Sequence, residues 1–551
     1  MILPFNKLPG YNSIFLDYID NFEKLASFYE SDYRVKEDYL NTIRNKQENY
    51  LKDKNFTRDT IADILKTQNE FFNSSEKTFE NIELLRKDNT YAIVTGQQLG
   101  MLTGNYYTII KALNSIQLAE RLSIQHLEYN FVPLFWLEAD DHDFLEVNHI
   151  HIFNQENQIV SIKYFENGVE EEKYLKPVGS LLFDETIQQF KDELRSNLQD
   201  SDFKESILNY VDDSYKEGKS FLIAFTRFMN KIIKDSGLVF IDPTDKDLKR
   251  ILIPIFEKEL NTYPDSCEIV VDTSAKIERN YEPQVKPRAI NIFYTHNSNR
   301  YLVEPRPEDI FALKHSRQKF SKSELLDILY SSPERFSGNV ILRPICQDYL
   351  LPTIAYIGGP SEVAYFAQFK GVYKFFNIKM PVIYPRTSAT FLESRVKNFL
   401  TKYDLKFEEL FDAKQVSEKL LRQMGNVNVD ELFDKYVDEI NALGYDFEKE
   451  IEKIDKNLVN SFKSKSDRYI ETVNLLKEKF VDSQIMQNKA SIEKLRSVIR
   501  NVNPDENLQE RFLNIVYFLN KYSLELIGYL KDNLEIDNFA HQIIDLNIEP
   551  L

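Results

Sequence analysis

Gly96, Gly100 and Gly104 fall within nine residues of one another, between a short β-prone run, Tyr91-Ala92-Ile93-Val94, and a helical stretch from about Tyr106 to Leu122. Glycine at a strand-to-helix turn lets backbone N–H groups approach a ligand, and the helix N-terminus that follows favours an anion. Thr95, Gln97 and Gln98 add uncharged donors and acceptors to the same turn. The spacing is neither a dinucleotide fingerprint nor a P-loop, so it predicts an anion-tolerant turn without naming a ligand. A tight turn with packing glycines accounts for the same residues.

A second cluster, Glu138-Ala139-Asp140-Asp141-His142-Asp143, follows the apolar run Phe131 to Leu137. An apolar run without polar alternation suits a strand covered on both faces, and ligands of open α/β sheets bind beyond the carboxyl ends of such strands. His142 between Asp141 and Asp143 suits a general acid or base oriented by a carboxylate. A helix cap or a metal ligand is the alternative. His149 and His151, two apart, share one face of a strand, but no third ligand stands at suitable spacing, so no bound metal is expected.

A third cluster joins Arg343, the natural fork for a carboxylate or phosphate, to Gly358-Gly359-Pro360-Ser361-Glu362, which ends an apolar run and opens a helix with Ser361 as its cap. A surface salt bridge is the plainer role for Arg343. Cys267 and Cys346 are too few for a disulfide framework or a cysteine zinc site, and both read as buried thiols.

These residues need a scaffold, and the rest of the chain supplies one. The first 85 or so residues carry helical periodicity. β-prone runs then recur at Leu238 to Ile241, Ile269 to Val271, Asn339 to Leu342 and Val382 to Tyr384, with helical stretches such as Lys246 to Leu260 and Ser361 to Phe376 between them. Strands alternating with helices predict a doubly wound parallel sheet. Short alternating strands from about Val147 to Phe183 predict an insertion with its own small sheet, placed at about 147–230.

After Pro385 no proline occurs until Pro504, and apolar residues step by three and four through Phe447, Ile451, Ile454, Leu458 and Phe462, then Tyr469, Val473, Leu476 and Phe480. That stripe predicts a long antiparallel helical hairpin or coiled coil. The expected division is a core over 1–385, a coiled-coil domain over 386–505, and a segment over 506–551 that packs back on the core with a helix at about Glu510 to Leu530.

The 69 basic and 87 acidic side chains give a net charge of −18, which repels polyanions and argues against a nucleic-acid partner. No run approaches the roughly 20 apolar residues of a membrane helix, and no leader peptide is evident, so a cytoplasmic protein without a membrane partner is expected.

Together, the stretches VTGQQLGMLTGNYYTIIKAL, FWLEADDHDFLEVNH, PQVKPRAINIFY, NVILRPICQDYLLPTIAYIGGPSEVAYFAQF, MPVIYPRTSAT and FAHQIIDL resemble the cysteine-adding enzymes of bacillithiol synthesis, in family order over most of the chain. Asn105 departs from the proline usual in that family. The resemblance implies a Rossmann-like core related to class I aminoacyl-tRNA synthetases, connecting insertions, and a C-terminal coiled coil that helps form homodimers. It also implies a ligase that joins the cysteine carboxyl group to the amine of glucosaminyl-malate. Joining an ionised carboxylate to an amine in water is uphill, so activation of the carboxylate by ATP, with Mg2+, is expected.

On that reading Asp141, His142 and Asp143 are the catalytic candidates. Thr95, Gly96, Gln97, Gln98, Gly104 and Tyr106 would hold nucleotide or substrate at the first turn. Arg343, Gln347, Gly358, Gly359 and Glu362 would do so at the second. Two other classes compete: a non-catalytic binding partner of the pathway, and a metal-dependent hydrolase built on Asp140, His142, His149 and His151.

Overall fold

The computed structural model describes residues 1–165, 174–424 and 429–547. They form two compact units, Met1–Thr390 with Glu510–Ile544, and Phe391–Gln509 with Asp545–Asn547.

The first unit is built on five strands: β1 (Thr90–Gln97), β2 (Asn130–Leu137), β3 (Val239–Ile241), β4 (Thr353–Gly358) and β5 (Val382–Pro385). All neighbours are parallel, and the order is β5-β4-β1-β2-β3. Strand order therefore reverses between β1 and β4, the place where a doubly wound sheet opens a crevice for ligands. β1, β4 and β5 are buried along nearly their whole length, which is why they read as continuous apolar runs.

Four helices of the first 85 residues, Ser13–Asp20, Lys36–Asn49, Arg58–Phe71 and Glu76–Leu85, agree with their periodicity. Arg58–Phe71 starts at a capping box of Thr57 and Thr60 and buries Ile61, Ala62, Leu65, Gln68 and Asn69. Its two amides finish the sheet. Asn69 accepts from Phe240 N at 3.1 Å and donates to Phe240 O at 2.8 Å, and Gln68 does the same for Asp242 at 2.9 and 3.2 Å. The free edge of β3 is thus satisfied by side chains rather than left to pair with another chain.

Two expected strands are helical. Ile269 to Val271 lie in the helix Asp265–Ile277, where Ser266, Val270, Ser274 and Ile277 are buried while Val271 is exposed. A helical burial period has overridden β-branched propensity. Asn339 accepts from the N–H groups of Ile341 and Leu342 at 2.9 and 3.1 Å, turning the chain into the helix Leu342–Leu350 where a strand was expected. The helix after β4 begins at Pro360, not Ser361; its N-terminal group is Gly359, whose N–H donates to Glu362 at 2.7 Å.

The expected small sheet at the insertion is the antiparallel pair His149–Phe153 and Ile159–Lys163. A second antiparallel sheet was not foreseen. Its order is Lys319–Ser321, Ile310–Leu313, Asn299–Arg306, Ile292–His296 and Phe336–Gly338. The tail does return to this unit, though not as one helix from Glu510 to Leu530. Ser523, at φ +60°, separates Ile515–Tyr522 from Glu525–Asn533.

In the second unit, Val429–Ile454 and Asn457–Gln487 form an antiparallel hairpin, with Phe447 against Phe462 and Phe433 against Phe480 at ring separations of 5.3 and 6.2 Å. The apolar stripe read from the sequence crosses its turn. Ile454 and Leu458 flank Asp455 and Lys456 and are exposed, so they belong to the tip and not to a buried seam.

Candidate active site

A cavity of about 1130 Å³ opens at the carboxyl ends of the five strands. Each end contributes: Gln97 from β1, Glu138 after β2, Pro243 after β3, Gly359 after β4 and Arg386 after β5. The second sheet closes another side with Phe293, Arg300 and Lys314. Nine Lys or Arg and five Asp or Glu line the wall, so the cavity reverses the sign of a chain whose net charge is −18.

The glycine turn is built for close approach. A Cβ on Gly100 would lie 2.7 Å from Gly104 Cα, and Gly104 has φ +70°. Four N–H groups at the turn, however, are used within the protein. Gly100 N donates to Gln98 O, Leu102 N to the Tyr215 hydroxyl, Gly104 N to Met101 O and Tyr106 N to Leu513 O. Asn514 Nδ2 donates to Leu102 O and Gly104 O at 2.9 and 2.6 Å, and Asn105 Nδ2 to Arg511 O at 2.5 Å. The same turn also clamps the returning tail, and the N–H groups of Gly100, Leu102, Gly104 and Tyr106 are not among those an anion cradle could use. What the turn offers the cavity is Gly96, Gln97 and Gln98, with Asn105 and Tyr107 beyond them.

A buried ion pair joins the two glycine motifs. Lys111 donates to Gly96 O at 2.8 Å and Gln97 Oε1 at 3.0 Å, and pairs with Glu362. Glu362 also accepts from Tyr356 OH and Gly359 N at 2.6 and 2.7 Å. Burial alone would push the Glu362 carboxyl up, but Lys111 and these donors hold it below its usual value.

The acidic cluster is held member by member. Lys249 Nζ lies 2.6 Å from Asp140 Oδ2. Asp141 accepts from His142 N at 2.8 Å through Oδ1 and from Gln98 Nε2 at 2.6 Å through Oδ2. The same Gln98 nitrogen reaches Glu146 at 2.5 Å. Arg300 Nη1 donates to His142 Nδ1 at 3.1 Å. Burial first, and then Arg300, push the His142 pKa down. Arg343 contacts Glu138 Oε1 through Nε at 3.2 Å and donates to Gln347 through Nη1 at 3.0 Å. Burial, with Asp141, Glu362 and Asp140 nearby, raises the Glu138 pKa to about 7 against the pull of Arg343.

Of the candidates read from the sequence, Gly96, Gln97, Gln98, Asp141, His142, Arg343, Gly359 and Glu362 lie on this wall. Thr95 is inside the sheet, donating to Ile357 O at 3.0 Å, and Gly358 pairs within it. Gly104 and Tyr106 stand behind the wall, and Tyr106 OH donates to Ala389 O. Gln347 supports Arg343 from beneath, and Asp143 points to solvent.

Sequence reasoning missed Lys249, Lys286, Arg288, Arg300, Lys314 and Arg386 as cavity residues. For Lys286 and Arg288 the stretch PQVKPRAINIFY was a signal, and for Arg386 the stretch MPVIYPRTSAT; the others gave none that single-sequence chemistry reads. Among the described residues no group of three or more His, Cys, Asp or Glu has metal-holding geometry. His149 and His151 pack edge to face, and His151 stacks on Phe512 at 4.1 Å.

A doubly wound parallel sheet with a polar cavity at its switch point defines a Rossmann-like α/β protein that binds small molecules. The family model described as "Bacillithiol biosynthesis BshC, N-terminal Rossmann-like domain" matches residues 3–387, and that of the BshC C-terminal coiled-coil domain matches 389–546. The chain belongs to the BshC family of bacillithiol biosynthesis, and by that membership it is a ligase.

A relative from Salinibacter ruber, named "Putative cysteine ligase BshC", is 34% identical over 98% of this chain and 97% of its own. Relatives of the same name from Chloroherpeton thalassium and Bacillus cereus are 33% and 28% identical over 97% and 96% of this chain, and 96% and 97% of theirs. A solved structure titled a putative arginyl-tRNA synthetase, from Campylobacter jejuni, aligns over 86% of this chain and 98% of that one at a TM-score of 0.22 and 11% identity, too low to carry an argument about fold. No helix among the described residues is long and apolar enough to cross a membrane.

Proposed function

We propose that this chain joins the carboxyl group of cysteine to the amine of glucosaminyl-malate, using ATP with Mg2+, as a cytoplasmic homodimer. The observation that carries this reading is the reversed charge of the cavity, a net-basic wall at the switch point of an acidic protein. Every substrate of the reaction is anionic or carries a carboxylate, and a basic wall raises its local concentration.

The wall is also uneven in a way that suits the acceptor. Lys286, Arg288 and Lys314 come from the second-sheet side and would take the malyl carboxylates. Asp140 and Asp141 come from the end of β2 and would face the sugar amine. ATP supplies the phosphoryl group that turns an unreactive carboxylate into an acyl donor. Exposed Leu443, Ile454 and Leu476 leave apolar surface on the hairpin for a second copy, which supports the dimer.

Mass spectrometry of the purified protein incubated with glucosaminyl-malate, cysteine, ATP and Mg2+ tests the reading. A cysteinyl product with AMP supports an adenylate route, and one with ADP supports an acyl phosphate. A folded protein that binds glucosaminyl-malate yet yields no product overturns the ligase reading in favour of a binding partner.

A further inference from the structure

We propose that Glu138 is the general base that takes the proton from the acceptor amine, and that His142 beside it is a neutral hydrogen-bond donor. The inference rests on the ligase reading and assigns the proton transfer that the reading requires.

Glu138 is distinguished by how the charge of each carboxylate on the wall is already matched. An amine arriving as its ammonium form must lose a proton before nitrogen can attack, and the acceptor of that proton needs an open lone pair on the cavity wall. Asp141 accepts one donor on each oxygen, His142 N and Gln98, and lies 3.6 Å from Arg300 Nη1, so two donors and a guanidinium already match its charge. Glu146 takes the same Gln98 nitrogen on Oε2 and is exposed to solvent. Glu362 is occupied by Lys111, Tyr356 and Gly359. Asp140 Oδ2 lies 2.6 Å from the ammonium of Lys249, which Phe336 O fixes from the other side at 2.8 Å, so its charge is paired in direct contact. Cys346 is a buried thiol.

His142 is excluded by its partner. Arginine has only donors, so the contact between Arg300 Nη1 and His142 Nδ1 occupies the ring's lone pair and leaves the proton on Nε2. Arg300 cannot turn away, because its Nε and Nη2 are tied to Ser337 Oγ and Gly338 O at 3.0 and 2.9 Å and its guanidinium lies over the Phe293 ring.

Glu138 remains. Its Oε1 faces Arg343 Nε at 3.2 Å, and no donor among the described residues reaches Oε2. The carboxylate sits beside the Gly96 turn, 3.6 Å from where a Gly96 Cβ would stand. Its pKa, raised to about 7, is that of a base poised at neutral pH.

The step balances. One ammonium proton passes to Glu138, the freed nitrogen pair forms the C–N bond to the activated cysteinyl carbon, and the C–O bond to the phosphoryl leaving group breaks with its electron pair. The second nitrogen proton leaves with the phosphoryl oxygen. Both oxidation states are unchanged.

Hydroxylamine separates this role from a structural one, because it is unprotonated at neutral pH and needs no base. Glu138→Gln is expected to lower the turnover of glucosaminyl-malate at neutral pH about a hundredfold or more, to recover rate only as rising pH supplies free amine in place of the ammonium form, and to leave cysteine hydroxamate formation near the wild-type rate. Glu138→Asp is expected to restore the pH dependence.

A Glu138→Gln protein with the wild-type rate and pH profile overturns the proposal, and so does one that loses hydroxamate formation in the same proportion. Wild-type protein that makes neither product overturns the ligase reading and the base role with it.

Discussion

Arg300 Nη1 and His142 Nδ1 are 3.1 Å apart, and this contact decides which form of the imidazole faces the cavity. A histidine between two aspartates reads as an acid–base residue oriented by a carboxylate. In the structure a guanidinium stands closer to Nδ1 than Asp141 Oδ1, at 3.7 Å, does, which favours the tautomer with its proton on Nε2, and burial and Arg300 lower the ring's pKa.

His142→Gln, whose amide can donate from the Nε2 position, should therefore keep most of the activity. His142→Ala should lower kcat about tenfold to a hundredfold, the range of one hydrogen bond to developing charge. Steady-state kinetics decide it: equal losses in the two variants would refute the donor role.

Arg343 holds Glu138 and Gln347 with two arms of one fork. Lysine keeps the charge but cannot reach both partners. Arg343→Lys should lower kcat about tenfold, a loss of roughly 1.4 kcal/mol, and move the acidic limb of the rate profile upward, because the cation that draws the Glu138 pKa down recedes. A profile that stays in place, with unchanged affinity for ATP and glucosaminyl-malate, would count against this assignment.

Arg386 and Glu510 form a fully buried bidentate pair, at 3.0 and 2.7 Å. Glu510 also accepts from Ser388 Oγ and Ala389 N, so the pair fixes the returning tail to the end of β5. Arg386→Met would strand a buried carboxylate and should cost about 3–5 kcal/mol. Urea denaturation would show it as a lower midpoint. A shift below about 1 kcal/mol, smaller than the cost of stranding a buried charge, would mean that the tail is held by other contacts.

His541 accepts or donates at both ring nitrogens, with Ser388 and Thr390 at 2.8 and 2.9 Å, and burial pushes its pKa down from 6.5 to about 4. The unfolded chain then binds the proton more readily than the folded one. Stability from this group is present above pH 6.5 and is lost progressively as pH falls towards 4, by an amount of the order of 3 kcal/mol. Thermal melts between pH 7 and pH 4 should fall less steeply for His541→Gln than for wild type. Parallel curves would show that the ring does not couple to folding.

Lys286 and Arg288 are exposed residues on the cavity wall. Replacing both by alanine should raise the KM for glucosaminyl-malate about tenfold, with little change in KM for cysteine, since two solvent-facing charges contribute on the order of 1 kcal/mol together. Added salt should narrow the difference between variant and wild type. Equal effects on both substrates would place the malyl carboxylates elsewhere.

The alternation of strands and helices, the polar clusters at the ends of β1, β2 and β4, and the helical hairpin were all legible in the sequence, because burial on both faces of a sheet and along one stripe of a helix leaves a local pattern. The run Asn339 to Leu342 was misread because one side chain, Asn339, turns the backbone where propensity favours a strand. Whether a backbone N–H is free, which lone pair of His142 is open, and which carboxylates are already paired with a cation were not legible. Those properties depend on Arg300, Lys249 and Tyr215, which lie 158, 109 and 113 residues from His142, Asp140 and Leu102. Sequence determines which groups exist and what local structure carries them. Only the folded chain decides which are already hydrogen-bonded to each other, and a proton or a ligand goes to the group that is left.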